Sequence, residues 1–111
     1  MANFIKNIAQ GETLALTEQV EALPGQIVSK TLSQNDHHSL TLFAFDEGEE
    51  ISTHASDGDA LVTALDGTGR ITIDGIEHLV NAGESIVMPA GKPHAVYAQA
   101  RFKMLLTVLF D

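Results

Sequence analysis

The chain has no cysteine. Disulfides, thiolate nucleophiles, cysteine-ligated zinc and iron–sulfur clusters are therefore excluded. Basic residues are scarce as well: six Lys and Arg stand against fifteen Asp and Glu, a formal charge of -9. No basic run offsets that balance, so it repels phosphate backbones and anionic membranes, and neither nucleic acid nor a membrane is expected as a partner. Long apolar runs are missing too. No stretch reaches the roughly 20 residues a membrane helix needs, and Met1 to Ile8 lacks the apolar core and cleavage pattern of a secretion signal. A cytoplasmic location is the expectation. Some chemical motifs are also absent. The acidic turns Asp46 to Glu50 and Asp57 to Asp59 lack the alternating carboxylates of a calcium loop. Gly67-Thr68-Gly69 has no strand-to-helix setting for a phosphate, and Ser85 has no nucleophile elbow around it.

What is present is a single domain's worth of chain, 111 residues at 44% hydrophobic and 19% charged content. That is enough for a globular core. Residues 1–25 read as a short N-terminal segment, helical or irregular, within the same domain. Phe4, Ile5 and Ile8 form one short amphipathic turn, Thr17 serves as the N-cap of another, and Leu23-Pro24-Gly25 turns the chain. From Gln26 onward the pattern is of strands. About eight or nine short β-branched or alternating runs follow, with turn signals every 8–12 residues, as in an antiparallel sandwich or barrel. Asp57-Gly58-Asp59 is a hairpin signal, and Asp74-Gly75 specifies a type I′ turn. The last run, Phe102 to Phe110, is apolar on both faces. Both faces should be covered, one by the core and the other by the second sheet or a second subunit.

Within this frame one arrangement occurs twice. Gly48 is followed after five residues by His54, and Gly83 leads through Pro89 and Gly91 to His94. Each is a glycine turn, a strand and a histidine, so two strands are expected to deliver one imidazole each to a shared cavity. Imidazole is the commonest protein metal ligand. Alternation along the strands then assigns the neighbours. If His54 points inward, so do Ser52 and Ser56. Ala60, Val62 and Ala64 share one face and Leu61, Thr63 and Leu65 the other. Val96 accompanies His94. The expected pocket, lined by His54, His94, Ser52, Ser56, Ala60, Val62 and Val96, is small and aliphatic and suits a small-molecule ligand. His37 and His78 receive no role, and His38 is an additional candidate ligand.

These residues resemble the two motifs of the cupin superfamily of small β-barrels. Gly48, His54 and Gly67 fit the first motif, and Gly83, Pro89, Gly91 and His94 fit the second with its spacing kept. Fifteen residues separate Gly67 from Gly83, as in small single-domain cupins. The resemblance implies an all-β fold, a double-stranded β-helix or jelly-roll barrel over residues 26–111. In metal-dependent cupins two histidines and a glutamate of the first motif and one histidine of the second hold the ion. By position His54 and His94 remain. Ser56 replaces the second histidine, Ala60 the glutamate, and Ala98 the asparagine that closes the second motif.

Two readings follow. In one, the barrel binds a small molecule, with His54 and His94 as polar anchors and at most a weakly held divalent metal (Fe, Mn, Ni or Zn). In the other, it is a metal-dependent enzyme of dioxygenase or isomerase type, with an aspartate from the Asp57–Asp59 turn completing a non-standard ligand set. Whether it is an enzyme is open at this point. A homodimer is expected through the face of Leu61, Thr63 and Leu65 and the C-terminal run.

Overall fold

A computed structural model describes residues 4–111. Nine strands follow one 3-10 turn at Leu16–Glu18: β1 Ile27–Gln34, β2 His38–Phe45, β3 Glu50–His54, β4 Asp59–Asp66, β5 Thr68–Ile73, β6 Ile76–Asn81, β7 Ser85–Met88, β8 His94–Ala98 and β9 Phe102–Leu109. They make two antiparallel sheets, one in the order β1-β2-β9-β4-β7 and the other β3-β8-β5-β6. This is the jelly-roll arrangement expected from the sequence. Among the described residues no helix is long and apolar enough to cross a membrane.

Strand alternation builds the core. On β4 Ala60, Val62 and Ala64 are buried, and on β8 His94, Val96 and Ala98 are buried, while their neighbours face outward. Phe45 and Phe102, paired across β2 and β9, bring their rings to 5.8 Å and fill one end of the barrel with Ile71 and Val62. At that end the chain passes from β4 to β5 through Gly67, at φ +74°. A Cβ there would run into the Arg101 carbonyl oxygen, so the first-motif glycine answers a steric demand.

The predicted type I′ turn forms, with Asp74 and Gly75 both at positive φ between the paired residues Ile73 and Ile76. Asp57-Gly58-Asp59, by contrast, is not a hairpin. The strand before it pairs with β8 and the strand after it with β9 and β7, so this turn carries the chain from one sheet to the other. Gly58 fits there because a Cβ would run into the Leu109 carbonyl and the ring of Phe110.

The N-terminal segment also departs from expectation. Residues 4–8 are not helical, and the 3-10 turn is entered from Ala15, which puts Thr17 inside it rather than at its cap. Part of the second apolar face of β9 is covered by the chain's own N-terminal segment. Ile8, Leu16, Val20 and Ala22 lie over Leu42, Ala44, Leu65 and Leu105 and form a second, smaller core outside the barrel. Backbone and side-chain hydrogen bonds hold this cover down: Lys6 N donates to the Leu32 carbonyl at 2.7 Å, and the Asn7 amide donates to the Thr31 carbonyl at 2.7 Å. Lys103, on the outward face of β9, donates its ammonium to the Thr17 carbonyl. The segment therefore repays its ordering entropy by removing apolar surface from water.

Candidate ligand site

The site lies at the end of the barrel opposite Phe45 and Phe102. Its geometry starts from an irregularity in β3. Ile51 pairs with Val96, yet His54 pairs with His94, so β3 uses three steps where β8 uses two. The extra residue is a bulge, which reverses alternation along the strand. Ile51 and His54 both line the cavity as a result. Ser52 turns outward and is exposed. Its contribution is its carbonyl, which lies 2.9 Å from His54 Nδ1. A carbonyl only accepts, so Nδ1 carries the hydrogen and neutral His54 holds its lone pair on Nε2.

His94 arrives from the other side. The Pro89–Pro93 loop delivers it to the first position of β8, where it is 2% exposed. Two hydrogen bonds fasten this loop to the β3–β4 crossing: Gly91 N donates to the Ser56 carbonyl and Ala90 N to Asp59 Oδ1, each at 2.8 Å. The two imidazoles then meet edge to face, with Nε2 atoms 3.2 Å apart, centroids 4.4 Å apart and ring planes at 76°. Burial, and after it the nearby His54 ring, push His94 below the ordinary histidine pKa. The Lys92 backbone opposes this shift, although it is not in hydrogen-bonding geometry, and His94 Nδ1 is buried without a partner.

Around the rings is a cavity of about 330 Å³. Of the residues expected there, His54, His94, Ser56, Ala60 and Val96 line it. Ser52 does not, because of the bulge. Val62 does not either: it faces inward as expected, but sits fully buried in the packed core one alternation further from the mouth. The walls contain residues that sequence reasoning missed, among them Phe43, Ile51, Met88, Met104 and Leu106. Met88 could have been found, since it alternates with the outward Val87 beside the second-motif proline. Phe43 could not, because β2 is apolar on both faces.

The rearranged metal set is not assembled. Asp59 spends a carboxylate oxygen on the Ala90 amide, and Ser56 Oγ accepts from Gly58 N at 3.1 Å. Among the described residues no group of three His, Cys, Asp or Glu side chains is placed to hold an ion. His38 is elsewhere, with Nε2 2.8 Å from Ser33 Oγ on a different surface groove.

Two turn–strand–histidine units converging in a jelly-roll cavity are accompanied by a match of residues 41–110 to the family described as the cupin domain. The chain belongs to the cupin family. Several solved structures resemble it. A conserved protein of unknown function from Streptococcus pyogenes is 44% identical, with a TM-score of 0.97 over 99% of this chain and 96% of that one. A cupin superfamily protein from Desulfitobacterium hafniense is 36% identical, with a TM-score of 0.92 over 96% of this cupin and 98% of its own chain. A cupin 2 conserved barrel domain protein from Leptotrichia buccalis is 45% identical, with a TM-score of 0.82, and matches 84% of this chain but 45% of its own. Among curated proteins no relative is matched.

Proposed function

We propose that this cupin binds a small molecule in the cavity at His54 and His94, with the imidazoles as polar anchors and the aliphatic walls taking the ligand's body. The observation that carries this reading is the pairing of exposed His54 with buried His94, Nε2 to Nε2 at 3.2 Å, both lining a mostly apolar cavity. Sites of this type combine apolar walls with a few convergent polar groups, and about 330 Å³ sits at the small end of their range. A resident three-ligand iron or manganese centre does not fit the donors present. Two neutral nitrogens without a carboxylate hold such hard ions weakly.

NMR titration with small aromatic probes (phenol, benzyl alcohol and benzoate) tests the reading. At least one should shift the Ala60 and Val96 methyl signals, and Ala60→Leu, which fills the cavity, should abolish the response. Shifts confined to the outer faces of the sheets would overturn it.

The same reading includes a homodimer. Val87, Leu61, Thr107 and Leu40 lie in one cross-strand row on the outside of the larger sheet, flanked by exposed Leu109 and Phe4. Leu65 and Leu105, expected on this interface, are instead covered by the N-terminal segment. Leu40 already packs in part against that segment's core, and a two-fold contact would bury the rest of the row, centred on exposed Val87 and Leu61. Sedimentation should give twice the chain mass, reduced to one chain mass by Leu61→Lys.

A further inference from the structure

The outer face of the larger sheet carries two adjoining grooves of about 340 and 350 Å³. Phe4, Ser33 and His38 line both. One groove runs on over Ile5, Leu40 and Leu109 and is almost wholly apolar, and the other continues to Lys6, Gln34 and Asn35. Neither shares a residue with the cavity at His54 and His94, because alternation on β9 sends Thr107 and Leu109 outward and Leu106 and Val108 inward. Leu61 and Val87, the centre of the dimer row, lie outside both grooves as well. We propose that the joined grooves bind a free medium-chain monocarboxylate, with its head at Lys6 and its hydrocarbon tail along Leu40 and Leu109.

Three features argue for it. The first is charge. On a chain with fifteen acidic and six basic residues, the polar groove is lined by a lysine and by no carboxylate. Asp36, in the adjoining turn, is not part of its wall. One lysine complements one negative charge, so a monoanion is the match. The second is a set of directional donors. Asn35 gives its side-chain carbonyl to the His37 and His38 amides at 2.8 and 3.0 Å, so what it offers a ligand is its NH2 group. Ser33 Oγ and His38 Nε2 lie 2.8 Å apart where the two grooves meet. A carboxylate only accepts, and bonds from such donors to it are the stronger for its charge. The third is an anchored wall beside apolar surface. β1 has a bulge between Thr31 and Ser33, and the Thr31 and Leu32 carbonyls there accept from the Asn7 amide and from Lys6 N, each at 2.7 Å. These bonds hold the chain where Phe4 and Ile5 flank the sheet. Even so, Phe4 stays 91% and Leu109 61% exposed. A hydrocarbon tail laid between them removes that surface from water, which a bare inorganic anion cannot do.

Titration with octanoate, followed by NMR, tests the site. Octanoate should shift the Leu40, Thr107 and Leu109 methyl signals together with the Lys6 side chain, and 1-octanol should bind about fivefold more weakly or worse. Lys6→Gln should cut octanoate affinity by about the same factor and leave 1-octanol binding as it was. That change keeps the backbone bond from residue 6 to the Leu32 carbonyl. Leu109→Asp, at an exposed position, should weaken both probes. Equal binding of octanoate and 1-octanol, or indifference of octanoate to Lys6→Gln, would overturn the proposal. Ala60→Leu separates this site from the inner cavity. Octanoate should bind that variant unchanged, and a loss there would place the acid beside His94 and reject the groove. Phosphatidylglycerol vesicles distinguish the source of the head: a protein that binds them but ignores octanoate docks on a membrane surface and has no site for the free acid.

Discussion

The two ends of the barrel are built from the same strands and differ in what those strands carry. At one end Phe45 and Phe102 pack with tilted rings, and the missing side chain of Gly69 leaves room for the Phe102 ring. At the other end the corresponding stretches of β4 and β8 place Ala60 and His94, and the space is not filled. Aromatic bulk against glycine makes a packed plug, and alanine against imidazole makes a cavity. The backbone supplies the enclosure, and side-chain volume alone decides which end stays empty.

That contrast can be broken most severely at the packed end. Phe102→Ala should lower unfolding stability by about 3–5 kcal/mol, read as a fall in denaturant midpoint, because the ring is fully buried among core residues. Gly67→Ala should come next, at roughly 1–3 kcal/mol or more. The new methyl meets the Arg101 carbonyl at a left-handed backbone position, and a thermal melt would register it.

At the open end the expected effects concern protons more than packing. His94 has its pKa lowered in the folded protein, so the unfolded chain binds the proton more readily. The linked stability is therefore complete above the ordinary histidine value, about 6.5, and is lost as pH falls through that value toward the lower folded one. Midpoints measured between pH 8 and 5 should decline, and His94→Gln should flatten that decline. The smallest effect is expected at Ser52. Its carbonyl, not its hydroxyl, orients His54, so Ser52→Ala should leave stability within about 0.5 kcal/mol and probe binding in the cavity unchanged.

Much of the barrel was legible in the chain because turn chemistry and strand alternation are local. Asp74-Gly75 dictates its own turn, and Ala60, Val62 and Ala64 declare a common face. The two histidines were legible as a pair through the repeated spacing from glycine to histidine. What was hidden depended on relations between strands. The bulge in β3 is a mismatch of three steps against two, visible only when β8 lies alongside, and it moved Ser52 out and Ile51 in. The Asp57–Asp59 turn carries hairpin residues, but the partners of its flanking strands are distant in sequence. The cover on β9 was hidden for a similar reason. Ile8 stands eight residues from Leu16 across an irregular stretch, and these side chains become one surface only when laid on Leu42 and Leu105.

That cover has a practical side. A shortened version starting near Gln26 would keep every strand and both histidines, yet it would strip Leu42, Ala44 and Leu105 bare. Such a fragment should clump at concentrations where the longer chain stays dispersed. Fusion partners and affinity tags therefore belong at the other terminus, away from the strip of chain that keeps this flank of the molecule wettable.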